Sequence, residues 1–146
     1  MHEDPRMTTT KVPWQTRTSL ADLDPEDERI GAAVVQAAYL VHSQLGPGLL
    51  ENIYETCFCH ELGKRGLAYR RQAVVPIVYD SLTVRTGLRL DVLIEDRVIC
   101  ELKAVDTMLP VCEAQLLSYM KLLDKRLGYL INFNVVLIKQ GIRRLL

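Results

Sequence analysis

Two carboxylates and one lysine occur at spacings that would bring them together on a β-hairpin. Asp91 lies in one apolar run, and Glu101 and Lys103 lie in a second apolar run that follows a polar break centred on Asp96. If the turn is centred there, Asp91 and Glu101 stand opposite each other, because each lies five residues from the centre. Residues two apart on a strand point to one face, so Lys103 would join Glu101.

Such a cluster has a coherent use in phosphodiester hydrolysis. The flanking residues are Val, Leu, Ile and Cys, so the hairpin is expected to be buried, and buried charges need partners or an ion. A divalent cation such as Mg²⁺ relieves the repulsion between two carboxylates and activates a water, while a lysine stabilises developing phosphate charge. The same residues could instead form a buried ion pair that stabilises the sheet, and their spacing alone leaves both interpretations open.

Helices and strands must carry these residues in a definite order. Asp24-Pro25 has the form of a helix start, and apolar residues recur at helical spacing up to Gly46. A second helix is predicted from about Leu50 to Arg65. The remaining predicted elements are strands Val74–Tyr79, Leu82–Ile94 and Val98–Val105, a helix Pro110–Leu123, a strand Tyr129–Phe133, and an edge segment at 135–137 and Ile142. The predicted order is α-α-β-β-β-α-β(-β).

Several ordered motifs point to a known family. They are Gly48-Leu49-Leu50-Glu51-Asn52-Ile53-Tyr54, Asp91, Glu101-Leu102-Lys103-Ala104, Glu113-Ala114-Gln115-Leu116-Leu117-Ser118-Tyr119 and Leu130-Ile131-Asn132-Phe133. Together they resemble the GxxExxY proteins, a bacterial and archaeal group within the PD-(D/E)xK nuclease superfamily. The resemblance covers about residue 28 to the C-terminus.

The resemblance implies a fold, a cofactor and a set of metal ligands. The fold would be α/β, a restriction-endonuclease-like αβββαβ core with a mixed sheet flanked by helices, which agrees with the order of elements predicted above. The cofactor would be Mg²⁺ (or Mn²⁺), held by Glu51, Asp91 and Glu101. Lys103 would be the catalytic lysine.

The resemblance also assigns roles to residues outside the hairpin. Gln115 and Tyr119 resemble the helix motif of the exonuclease-type branch of the superfamily, and four-residue spacing places them on one helix face. Gln115 is therefore counted with the catalytic residues, and Tyr54 and Tyr119 as support for the site or the substrate. Two positions depart from the pattern: Leu90 stands where the superfamily name has Pro, and Cys112 stands where many relatives have His.

Composition narrows the class of protein. The 146 residues are nearly half hydrophobic, which predicts one globular domain, residues 24–146, after a flexible arm, residues 1–23. No apolar run reaches the ~20 residues of a membrane helix, and the polar N-terminus is unlike a secretory signal. Four cysteines without a Cys-x-x-Cys pair favour reduced thiols, so we expect a cytoplasmic protein without a membrane partner.

Three functions fit these observations. The net charge is zero, but residues 29–146 carry 15 bases and 11 acids, and local basic pairs such as Arg70-Arg71 could contact a phosphate backbone. The first hypothesis is a metal-dependent nuclease that cleaves DNA or RNA. The second is a non-catalytic module that binds nucleic acid or a protein. The third is a small homo-oligomeric scaffold, such as a homodimer, that pairs across a sheet edge through the apolar segment Val135–Leu146.

Overall fold

The computed structural model describes residues 23–146. The predicted flexible arm, residues 1–23, lies outside the described residues except for Leu23. In chain order the elements are helix α1 (Pro25–Leu45), helix α2 (Glu51–Lys64), strands β1 (Tyr69–Tyr79), β2 (Leu82–Ile94) and β3 (Val98–Lys103), helix α3 (Pro110–Leu123), strand β4 (Leu127–Asn132), the short helix α4 (Ile138–Gly141) and strand β5 (Ile142–Leu145).

The strands form one mixed sheet in the order β1-β2-β3-β4-β5. The first three strands are an antiparallel meander, and α3 then crosses over so that β4 lies parallel to β3. Strand β5 pairs antiparallel with β4 at the far edge. The predicted αβββαβ arrangement and mixed sheet are therefore confirmed.

Helix α1 begins and ends where its sequence predicts. The Asp24 carboxylate accepts a hydrogen bond from the backbone N–H of Glu26 at 2.8 Å, and Pro25 occupies the first turn. Gly46 ends the helix with a φ of +70°, a conformation that favours glycine. Its N–H donates to the carbonyl of His42 at 2.8 Å, which closes the last turn.

Two hydrophobic cores lie on opposite faces of the sheet. The larger, which we call the helix-pair core, joins α1 and α2 to one face through residues such as Ile30, Phe58 and Ile131. The smaller, the α3 core, joins α3 to the other face. Its fully or nearly buried members are Ala73, Leu90, Leu93, Ile99, Leu116, Met120, Leu130 and Leu145.

Several predicted boundaries differ from the structure, and β4, for example, runs Leu127–Asn132 rather than Tyr129–Phe133. Strand β1 begins at Tyr69 rather than Val74, because Tyr69 to Arg71 pair with β2 despite their polar composition. Strand β3 ends at Lys103, because the side chain of Asn132 hydrogen-bonds both the N–H and the C=O of Val105. The predicted strand at 135–137 is wrong: these residues precede α4.

The cysteines of the described region form no disulfide with one another, and their reduced state in the cell stays a prediction. Cys59 is buried and Cys57 is half-buried, and no three potential metal-binding side chains of residues 23–146 form a metal cluster around them. None of the helices between residues 23 and 146 has the length and apolarity needed to cross a membrane.

Candidate active site

The site forms where strands β2 and β3 separate. Their ladder pairs Ile94 with Val98 and Val92 with Cys100, which centres the turn on Asp96 as predicted. At Asp91 and Glu101, the next positions along the two strands, side-chain hydrogen bonds take the place of backbone-to-backbone ones. The Asp91 N–H donates to Glu101 Oε2 at 2.8 Å, and the Leu102 N–H donates to Asp91 Oδ2 at 2.9 Å. Each carboxylate thus bridges to the opposite strand, and both are held at the opening.

Lys103 and Glu51 complete the charged cluster. Lys103 is the last residue of β3, and its charge acts on Glu101, Asp91 and Glu51. Glu51 is the first residue of α2 and its carboxyl lies against the backbone at Ala104, just past the end of β3. The structure therefore brings together four of the residues that the sequence proposed, contributed by α2, β2 and β3.

Burial and mutual repulsion disfavour the charged forms of the three carboxylates. Burial, and then the neighbouring Asp91 charge, raise the pKa of Glu101 to about 8, although the Asp91 N–H and Lys103 act in the opposite direction. Burial is also the main cause that raises the pKa of Asp91 and that of Glu51, and Asp91 adds a repulsive contribution to Glu51. Lys103 offsets part of this cost, but one ammonium faces three carboxylates.

Helix α3 places Tyr119 at the site and leaves Gln115 at its exposed rim. Burial raises the pKa of the Tyr119 hydroxyl, and the charges of Glu101 and Asp91 raise it further, which puts that hydroxyl within their electrostatic reach. Gln115 lies one helical turn earlier on the same face and is exposed. Within residues 23–146, the contacts of the structure do not join Gln115 to the carboxylates.

Tyr54 acts from the core side of the cluster. Its hydroxyl donates to the Gly46 carbonyl at 2.6 Å and accepts from the Leu49 N–H at 3.0 Å, which fixes the loop ahead of α2. Its ring is fully buried and stacks on Phe133 with the centroids 4.7 Å apart. Because the Phe133 N–H donates to the Lys103 carbonyl at 2.9 Å, this stack links the start of α2 to the end of β3.

A polar network next to Asp91, centred on the buried Glu55, was not predicted from the sequence. Glu55 is only 6% exposed, forms an ion pair with Arg71 at 2.9 Å, and accepts from Gln72 Nε2 at 2.6 Å. Gln72 Nε2 also reaches Asp91 Oδ1 at 3.4 Å. Glu55 could have been found, because it lies one helical turn after Glu51, whereas nothing in the sequence around Gln72 marks it.

The donor set suits a hard divalent cation in its chemistry. Carboxylate oxygens are the ligands that Mg²⁺ prefers, and a cation would remove the repulsion that raises the pKa of these carboxylates. The described side chains do not form a complete metal site. Among residues 23–146, no three His, Cys, Asp or Glu groups lie at metal-binding spacing. Both hairpin carboxylates are instead occupied by backbone N–H groups.

The comparison with known proteins agrees with this geometry. A family model described as the PD-(D/E)XK nuclease superfamily matches residues 28–145, which includes all the site residues above. No curated protein and no solved structure matches the chain.

Proposed function

The chain belongs to the PD-(D/E)XK nuclease superfamily, and from this membership we propose that it is a Mg²⁺- or Mn²⁺-dependent nuclease that hydrolyses phosphodiester bonds in DNA or RNA. The observation that carries the proposal is the separation of β2 and β3 at Asp91 and Glu101, with Lys103 at the end of the same strand. A sheet does not need two facing carboxylates at that point. A phosphate-cleaving site does.

Each residue would have a distinct role. Glu51, Asp91 and Glu101 would hold the cation, which when bound lowers the pKa of a coordinated water and offsets phosphate charge. The Lys103 ammonium would donate hydrogen bonds to the attacking water and to the phosphate oxygens, where negative charge develops. The Tyr119 hydroxyl would donate a hydrogen bond to a phosphate oxygen, because a tyrosine hydroxyl is protonated at neutral pH.

We also propose that the chain belongs to the GxxExxY group. The support is the joint arrangement of the three residues that give the group its name. Gly48 has a φ of +93°, Glu51 begins α2, and Tyr54 holds the intervening loop through Leu49. Gln115 would contact substrate from the exposed face of α3.

Two accessible arginines lie on the β1–β2 hairpin, on the strand that carries Asp91. Several basic side chains elsewhere pair with a nearby acid: Lys64 and Arg65 share Glu61, and Arg143 pairs with Glu113. Arg85 and Arg89 are exposed on β2, between the hairpin turn and Asp91, and neither forms an ion pair with any residue of 23–146. These two side chains are the best candidates for contact with a phosphate backbone.

A cleavage assay tests the proposal. Purified wild type is incubated with labelled single- and double-stranded DNA and RNA, with Mg²⁺, with Mn²⁺ or with EDTA. We expect metal-dependent cleavage by wild type and by Lys139→Ala, whose lysine is exposed on α4, and loss of at least 100-fold in Lys103→Ala. Equal rates for Lys103→Ala and wild type would assign the cleavage to a contaminant or to another site.

A binding module is the second candidate, and two observations favour it. Within the described residues the carboxylates are not arranged as a metal site, and Cys112 stands where the family resemblance leads us to expect His. A module of this kind would retain nucleic acid in a salt-dependent way and leave it intact when Mg²⁺ or Mn²⁺ is supplied. The cleavage assay and a gel-shift assay on the same samples distinguish the two functions. Self-association through the β5 edge, the domain boundary at residue 24 and a cytoplasmic location stay predictions.

A further inference from the structure

We propose that Gln72 is a positioning residue that fixes the direction of the Asp91 carboxylate, a role that rests on the proposed metal-binding function of Asp91. Gln72 lies on β1, the strand farthest from β4 and β5, and belongs to none of the motifs of the family resemblance. Its assignment follows from its contacts, its backbone conformation and its place in the hairpin.

The contacts of Gln72 connect two acidic groups through a neutral donor. Its side-chain Nε2 donates to Glu55 Oε1 at 2.6 Å and lies 3.4 Å from Asp91 Oδ1. Glu55 is itself fixed, because it is buried and its other oxygen pairs with Arg71 at 2.9 Å. The amide of Gln72 is therefore held on one side by a rigid partner and presented to Asp91 on the other.

The backbone of Gln72 is in the left-handed region, with a φ of +49°. Such a conformation is costly for a residue with a side chain and persists where the surroundings enforce it. In the described chain, five non-glycine residues have a positive φ, and Gln72 is the one that lies in β1. The strain coincides with the contact to the candidate metal ligand.

The alternation of side chains between the two sheet faces is interrupted where Gln72 lies opposite Asp91. Ala73 and Leu90 face the α3 core, yet Val92, two residues after Leu90, packs in the helix-pair core. The register on both sides is unchanged, since Arg71 pairs with Val92 and Ala73 with Leu90. At Gln72 and Asp91, therefore, both strands change the sheet face toward which their alternate side chains point. This change brings the side chains of Gln72 and Asp91 together at the site.

The consequence for Asp91 is that both of its oxygens are held by the protein. Oδ2 accepts from the Leu102 N–H at 2.9 Å, and Oδ1 faces the Gln72 amide. A neutral amide orients the carboxylate without adding a positive charge that would compete with a cation. Groups that orient metal ligands typically contribute 10–100-fold to metal affinity.

Two substitutions separate this role from a structural one. Gln72→Met keeps the length of the side chain and the backbone strain but removes the amide, and Gln72→Gly relieves the strain and also removes the amide. Asp80→Gly is the matched control, because Asp80 has a φ of +55° in the β1–β2 turn, away from the site. Thermal unfolding of all four proteins gives their relative stability.

The first measurement is calorimetric titration with Mn²⁺. We expect Gln72→Met and Gln72→Gly to bind Mn²⁺ at least tenfold more weakly than wild type, although Gly raises stability relative to Met. Asp80→Gly should bind as wild type does. Wild-type affinity in Gln72→Gly would overturn the proposal, because it would mean that the residue affects only the fold.

The second measurement needs no metal, so it separates this inference from the proposed function. In the metal-free protein, the Leu102 amide proton reports on its hydrogen bond to Asp91, and the Val98 amide at the other end of β3 is the internal reference. We expect the Leu102 resonance to move upfield in both Gln72 variants and to stay in place in Asp80→Gly. An unchanged Leu102 resonance in Gln72→Met would show that the amide does not orient Asp91. Failure of wild type to bind Mn²⁺, with the Leu102 shift present, would overturn only the metal function.

Discussion

The backbone N–H of Asp91 donates to the carboxylate of Glu101 at 2.8 Å, at the position where a regular ladder would continue between their strands. Asp91 returns the contact through its own carboxylate, which accepts from the residue after Glu101 at 2.9 Å. Two acids that repel each other are thereby fixed side by side. A hydrophobic pair would stabilise the sheet more at this point, so the arrangement is better explained by a ligand that needs both carboxylates.

The first prediction concerns metal binding by these two carboxylates. Titration of Mn²⁺ or Mg²⁺ into wild type should show binding that is absent from Asp91→Ala/Glu101→Ala, because the double variant lacks the main ligands. Glu28→Ala removes an exposed carboxylate of α1 and should bind as wild type does. Equal binding by wild type and the double variant would place the ion elsewhere on the protein.

The second prediction concerns the pH dependence of stability in EDTA. The pKa of Glu101 is about 8 in the folded protein against an ordinary value of 4.5, so between these values the folded state holds a proton that the unfolded state has released. The free energy of unfolding should therefore be highest below pH 4.5 with respect to this group. It should fall by up to about 1.4 kcal/mol per pH unit as the pH rises towards 8.

Glu101→Gln is the control for that slope, because its amide does not titrate. Urea unfolding at pH 5.5 and pH 8.5 should show a larger loss of stability for wild type than for Glu101→Gln. Addition of Mn²⁺ at pH 8.5 should restore stability to wild type and have little effect on the variant. Parallel pH profiles for the two proteins would mean that Glu101 ionises normally.

The charged hairpin could be predicted from the sequence because its residues lie close together along the chain. A turn centred on Asp96 fixes the partner of Asp91 by counting, and strand alternation fixes the relation of Glu101 to Lys103. The order of elements followed for the same reason, since each helix and strand carries its own periodicity. The family resemblance then connected Glu51 to the hairpin, a relation between distant segments that periodicity cannot supply.

The support beneath the hairpin could not be predicted in this way. The contact between Gln72 and Glu55 joins β1 to α2 across 17 residues and depends on a left-handed residue inside a strand, which propensities disfavour. The end of β3 depends on the Asn132 side chain, 27 residues away from Val105. For Gln115 the position could be predicted, because its helix and its place on one helix face follow from the sequence. Its role could not, because that role depends on a substrate.

The third prediction concerns the loop that precedes α2. Tyr54→Phe keeps the stack on Phe133 but removes two hydrogen bonds, to the Gly46 carbonyl and from the Leu49 N–H. We expect a decrease of about 1–3 kcal/mol in the free energy of unfolding, measured in urea, because both backbone groups are left without their partner. Tyr39→Phe, at a 43% exposed tyrosine of α1, should change stability by less than about 0.5 kcal/mol. Equal effects of the two substitutions would contradict the role given to Tyr54.

The fourth prediction concerns the surface that binds nucleic acid. Arg85 and Arg89 are exposed on the strand that leads to Asp91, so a phosphate backbone that reaches the site would pass them. Removal of one arginine that binds a phosphate should reduce the slope of log K against log salt by about 0.9 for duplex DNA and about 0.7 for a single strand. Arg85→Gln/Arg89→Gln should therefore bind more weakly at low salt, with a slope reduced by about 1.4 to 1.8.

The matched control removes two neighbouring basic residues that already form ion pairs. Lys64→Gln/Arg65→Gln changes the net charge by the same amount, but both side chains pair with Glu61 on α2. Fluorescence anisotropy at several salt concentrations, in EDTA so that nothing is cleaved, should give this variant the wild-type slope. If both double variants reduced the slope equally, binding would follow net charge alone, and the hairpin would have no special place in substrate binding.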